Sequence, residues 1–126
     1  MQDKPPPDEI LGAVARLMRE LLPQMSGRSA FLLRVAANAV DLVQRQIALA
    51  ATSDDEERAR LTSLLQRDGE LAELNAALCA AVESREIGGE TPGLAEHLWA
   101  TTLAKLAVDQ PNYAAYRRLA NPPQKD

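Results

Sequence analysis

Apolar positions along this chain recur at helical spacing, and no stretch alternates as a strand would. Ile10, Val14, Leu17 and Leu21 fall three and four residues apart, and Leu11, Met18 and Leu22 widen the same face. Asp8 and Glu9 open this segment and Pro23 closes it, which predicts a first helix from about Asp8 to Leu22. Gly12 weakens that helix unless a neighbour packs close against it. After the Ser26-Gly27 turn, a second helix is predicted from about Arg28 to Ala51. Its stripe of Leu32, Val35, Ala39, Leu42 and Leu49 is extended by Ala36, Val40, Val43 and Ile47 past half the circumference. So wide an arc predicts a central helix with neighbours on two sides. The remaining narrow arc carries Arg34, Asn38, Asp41 and Arg45.

Ser53-Asp54-Asp55-Glu56 reads as a capping box, so a third helix is expected from Ser53 to about Gln66. Asp54/Arg58 and Glu56/Arg60 pair at i,i+4, while Leu61, Leu64 and Leu65 anchor an otherwise polar, peripheral element. Asp68-Gly69 separates it from a fourth helix, about Glu70 to Glu86. Leu71, Leu74, Leu78 and Val82 face inward there, with Asn75 beside them. Gly88-Gly89 breaks the chain, and Thr91-Pro92 reads as N-cap and N1 of a fifth helix reaching Asp109. Leu98, Trp99, Leu103 and Leu106 are its expected buried side. Pro111 leaves room for a short last helix ending near Leu119. No repeat with solenoid period is present. The expected fold is all-α: a single-domain antiparallel helical bundle of about five helices plus a short C-terminal helix. It spans residues 8–119 between flexible tails, 1–7 and 120–126.

Composition narrows the chemistry. With 126 residues, 46% hydrophobic and only 3% aromatic, leucine, alanine and valine must fill the core. A net charge of −4 disfavours nucleic acid, because a phosphate backbone meets a repulsive field. The single cysteine, Cys79, excludes an intrachain disulfide and a multi-cysteine zinc site; mid-helix and without an activating neighbour, it reads as an inert residue at the core edge. No signal peptide, lipidation motif or membrane-spanning run is visible, so a cytoplasmic, bacterial-type protein is the expected class.

His97 is the only histidine, and it shares a helical stripe with Thr101 and Lys105. A His–Lys pair can move a proton or hold an anion, yet no nucleophile and base are paired in the pattern. The simpler expectation is an exposed polar face. Gly88-Gly89 lacks the flanking pattern of a phosphate loop, and Asp54-Asp55-Glu56-Glu57 lacks calcium-loop spacing, so neither a cofactor nor a metal is expected. The stripe Arg34–Asn38–Asp41–Arg45 and the fourth-helix Asn75 are more informative. Asparagine is a poor residue inside a helix, so Asn38 and Asn75 predict tertiary hydrogen bonds or a contact with a partner. Arg28 and Arg34 offer a fork for a carboxylate or phosphate.

Three segments together resemble a known family: Gly27-Arg28 with Arg34-Val-Ala-Ala-Asn38-Ala-Val, Asp68-Gly-Glu-Leu-Ala-Glu-Leu-Asn75-Ala-Ala-Leu, and Leu103-Ala-Lys105-Leu-Ala-Val-Asp109-Gln-Pro111-Asn-Tyr113. The family is one of small bacterial helical proteins of unknown function. In that family the gene often lies beside an aminoglycoside/choline-kinase-like phosphotransferase and an acyl-CoA dehydrogenase. The resemblance implies a non-catalytic accessory subunit for such a kinase in acyl-CoA or hydroxy-acid catabolism. It also makes Arg28, Arg34, Asn38, Asn75, Lys105 and Asp109 matching polar positions for interaction. A small-molecule binder for an acyl chain or acyl-CoA is the alternative, and it requires an apolar pocket with Arg or Lys at its mouth. The broad apolar arc of the second helix and the Trp99 face also suit a homodimer.

Overall fold

The computed structural model describes residues 4–121. Of the expected tails at 1–7 and 120–126, residues 1–3 and 122–126 fall outside the described residues, while Pro7 and Ala120 belong to helices. The chain is all-α, as its periodicity predicts, and no strand occurs among the described residues. Its elements are α1 (Pro7–Leu21), a 3-10 turn (Leu22–Gln24), α2 (Gly27–Leu65), α3 (Leu71–Glu83), α4 (Leu94–Asp109) and α5 (Ala114–Ala120). Contacts group the chain into two compact units, residues 1–50 and 51–126.

The helix count differs from expectation at one place. The segments predicted as separate second and third helices form the single 39-residue α2. Ser53-Asp54-Asp55-Glu56 carries the composition of a cap, but Ala50-Ala51-Thr52 before it contains no glycine or proline to end the preceding helix. A cap satisfies N–H groups only where the ladder has already stopped; here the ladder continues and those donors stay paired along the helix.

In the first unit, Pro7 and the acids Asp8 and Glu9 start α1, and a 3-10 turn containing Pro23 ends it. Gly27 adopts φ +55, the left-handed region, as the chain turns into α2. The two helices run antiparallel: Gly12 of α1 meets the Gln44 side chain of α2, and Arg19 reaches Asn38 and Asp41. Only small residues are deeply buried here, namely Gly12, Ala15 and Ala37.

The second unit holds the larger core. Leu61 from α2, Leu74, Leu78 and Ala81 from α3, Ile87 from the connection and Leu94 from α4 form one buried cluster. Leu64, Leu65 and Leu71 pack against it half-buried. The leucines expected only to anchor a peripheral helix thus sit at the centre of a core. Glu70 caps α3 in a reciprocal box with Glu73. Thr91 does not cap α4 as expected. Its hydroxyl accepts from the Gly88 N–H at 3.0 Å, and Gly93 at φ +90 is the N-cap. An L side chain at that φ is strained, which is why the chain turns into α4 at a glycine.

Candidate functional site

The polar stripe on α2 is engaged from within the chain. Arg19 donates through Nη2 to Asp41 Oδ2 at 2.5 Å and through Nη1 to Asp41 Oδ1 at 3.3 Å. The same Nη2 donates to Asn38 Oδ1 at 3.2 Å. Asn38 and Asp41 thus knit α1 to α2, and Arg19 is the member that the sequence reading did not single out. Its signal was available: Arg19 interrupts α1 one turn before the proline and lies off the apolar face. Arg28 and Arg34 are exposed on α2, and Arg45 is half-buried.

Beside that polar zipper, the two helices share an uncovered apolar face. Leu11, Val14, Met18 and Leu21 on α1 step by three and four residues, as do Ala36, Val40, Val43 and Ile47 on α2. Leu11, Met18, Ala36 and Val40 are half-buried along the helix–helix seam. Val14, Leu21, Leu32, Val43 and Ile47 are between 39% and 50% exposed. The arc that predicted neighbours on two sides of the second helix has, within residues 1–50, a neighbour on one side only.

The second unit contains a buried polar group. His97, expected on an exposed face, is only 2% exposed on the inner side of α4. The shared stripe with Lys105 misled here, because eight residues on a helix still drift by about 80°. That drift leaves Lys105 exposed and His97 inside. His97 Nδ1 and the Thr101 hydroxyl, one turn apart, are buried without a hydrogen-bond partner, as is Arg60 Nε. Burial first, and then the Arg60 charge, pushes the His97 pKa below its ordinary 6.5, while Glu57 opposes both. The Glu57 carboxylate accepts from Asn75 Nδ2 at 2.8 Å, and Asn75 also donates to the Leu71 carbonyl at 3.2 Å. Asn75 therefore makes the tertiary bond predicted for it. Glu57 was read only as part of an acidic run.

On the outer side of α4, Leu98 and Trp99 are 52% and 55% exposed, which reverses the expectation that they face the core. Lys105 and Asp109 lie exposed on the same helix. Cys79 is also exposed on α3 rather than at the edge of the core. Clefts in the two units are open and mixed in polarity. One of about 370 Å³ is lined by Arg60, Ser63, Leu64, Gln66, Pro92, Gly93 and Glu96. Another, about 600 Å³, lies along α1 and is lined by Asp8, Glu9, Val14 and Arg16 together with the α2 residue Gln44. Among the described residues no group of three or more His, Cys, Asp or Glu is placed to hold a metal ion. Nor is any described helix long and apolar enough to cross a membrane.

No curated protein and no solved structure matches the chain. A family profile, Domain of unknown function (DUF6285), matches residues 23–113. That stretch contains all three segments on which the resemblance was drawn. It begins at the proline that ends α1 and stops just short of α5, so it takes in α2, α3 and α4 whole. The match covers well over half of the protein, and the chain belongs to this family, Domain of unknown function (DUF6285).

Proposed function

We propose that this protein is a non-catalytic accessory subunit that binds a phosphotransferase-like kinase serving acyl-CoA or hydroxy-acid catabolism in a bacterial cytoplasm. The supporting observation is the exposed Leu98–Trp99 pair on α4. Trp99 is the only tryptophan, and it lies in the open while nearby leucines fill the core. Tryptophan combines a large apolar area with one N–H donor, which suits the centre of a protein–protein contact. The exposed Lys105 and Asp109 on the same helix supply a polar rim of the kind that surrounds such anchors. The choice of a kinase partner comes from the resemblance and its gene neighbourhood. The acyl-binding alternative gains less support, because the clefts are open and mixed in polarity, and the one along α1 sets two carboxylates, Asp8 and Glu9, against a single cation, Arg16.

Trp99 also provides the test. The purified kinase encoded beside this gene is titrated into the protein, and tryptophan emission, read against that of the kinase alone, is followed together with co-elution. The expected result is a blue shift and a stable complex, with Trp99→Ala weakening binding at least tenfold and leaving helicity unchanged. A folded, active kinase that never associates with the wild-type chain would refute the proposal.

A further inference from the structure

We infer that residues 7–50 form an interface between two copies of this chain, with α1 and the first part of α2 from each copy closing a four-helix bundle. This does not depend on the kinase, since it uses the other compact unit and needs no second protein.

A two-helix unit has no opposite layer in which to bury an apolar face. Here its deeply buried residues are two alanines and a glycine, while Val14, Leu21, Leu32, Val43 and Ile47 stay close to half exposed. These large side chains and their half-buried neighbours carry the three-and-four spacing of helices that interdigitate in a bundle. The polar zipper of Arg19, Asn38 and Asp41 closes the seam away from this face, so no charged side chain interrupts it. The missing layer therefore needs the same apolar character on two antiparallel helices, and a second copy presents that by symmetry.

Area and charge both favour the second copy. A half-exposed aliphatic side chain leaves about 50 Å² of apolar surface, roughly half of what complete burial removes. The five near-half-exposed side chains then offer about 250 Å² per copy and the four half-buried ones about 100 Å² more, together most of the apolar share of a standard interface burying about 800 Å² on each partner. Residues 1–50 contain six basic and five acidic side chains, whereas residues 51–126 contain eight and thirteen. The acidic excess that gives the protein its net −4 is thus absent from the unit that would self-associate, and two such units meet without appreciable repulsion.

Sedimentation velocity of the full chain between about 1 and 100 µM decides the matter, a range that brackets micromolar dissociation constants. The expected wild-type mass approaches twice 13.7 kDa as concentration rises. Val43→Glu should weaken self-association at least ~100-fold, because the partner would bury an unpaired carboxylate. Val43 is 46% exposed in the single chain, so circular dichroism should show unchanged helicity for that variant. Leu98→Glu, in the other unit, should leave the dimer intact. A wild-type chain that stays at 13.7 kDa throughout the range overturns the inference and leaves the face to a different protein. A folded Val43→Glu variant that dimerises like the wild type overturns it as well.

Discussion

His97 shows how one side chain can be placed by a pattern and misassigned by it. Being the only histidine, on a stripe with a threonine and a lysine, it resembles an exposed polar group; in the structure it is the one polar residue buried among the described residues. Burial and the Arg60 charge disfavour its protonated form. Because the folded pKa lies below the ordinary 6.5, the unfolded chain takes up this proton first as pH falls. The His97 contribution to stability is therefore fully present above about pH 6.5 and declines as acid approaches and passes the lower folded pKa. Urea midpoints measured from pH 7.5 to 5 should fall, and His97→Leu should flatten the part of the curve below pH 6.5. A wild-type midpoint independent of pH in that window would show that the ring protonates freely in place.

Gly12 is a second single-residue case. It costs α1 helix propensity of about 1 kcal/mol relative to alanine, and a Cβ there would stand 3.1 Å from the Gln44 Nε2. That atom ends a flexible side chain, which can swing away without moving the backbone. Gly12→Ala should accordingly raise stability by about 0.5–1 kcal/mol, read as a higher urea midpoint at unchanged slope. A loss would mean that Gln44 is held where it is by contacts stronger than its exposure suggests.

At the scale of elements, the C-terminal half of α2 carries more than its polar composition suggests. Leu61 is fully buried in the cluster with Leu74 and Leu78. Truncation to alanine should cost about 2–5 kcal/mol by leaving a cavity among side chains from three helices. Leu98→Ala, on the outer side of α4, should cost well under 1 kcal/mol. The thermal or chemical midpoints of the two variants measure the contrast directly, and equal losses would place Leu98 in the core after all. Helix α2 also explains why a capping signature alone did not locate a boundary. Gly69 and Gly88-Gly89 accompany real breaks, although the left-handed residues there are Gln66 at φ 52 and Arg85 at φ 64, and Pro23 sits in a third break, where its ring removes a backbone donor. Ser53 and its acids change only which groups are at hand to accept a hydrogen bond.

For the whole molecule, the two units differ in how they are held together. Residues 51–126 enclose a cluster of six buried apolar side chains from three helices and a connection, while residues 1–50 rely on small residues and an exposed Arg19–Asp41 pair. Surface pairs contribute about 0–1 kcal/mol, so the first unit is the less stable by itself. Hydrogen exchange at low micromolar concentration should find the slowest amides in α3 and the Leu61 region, and fast exchange in α1. Protection in α1 should increase with protein concentration as its apolar face is covered by the second copy. Protection that is uniform and independent of concentration would contradict this division.

Much of this organisation was legible without coordinates. Helical periodicity, abundant leucine and alanine, and turns at Pro23, Gly69 and Gly88 determined the all-α class and most helix limits, because local spacing and backbone freedom act over a few residues. The tertiary hydrogen bond of Asn75 was likewise predictable, since a helix gives its amide little reason to be there. What only the tertiary structure decided was which apolar stripes find a neighbour. Leu61 and Trp99 both sit on apolar stripes in sequence, yet one is enclosed and the other open. The same holds for Arg19, whose partners Asn38 and Asp41 lie about twenty residues away. A stripe states what a helix needs to bury; whether another element lies against it depends on long-range packing that no local pattern contains.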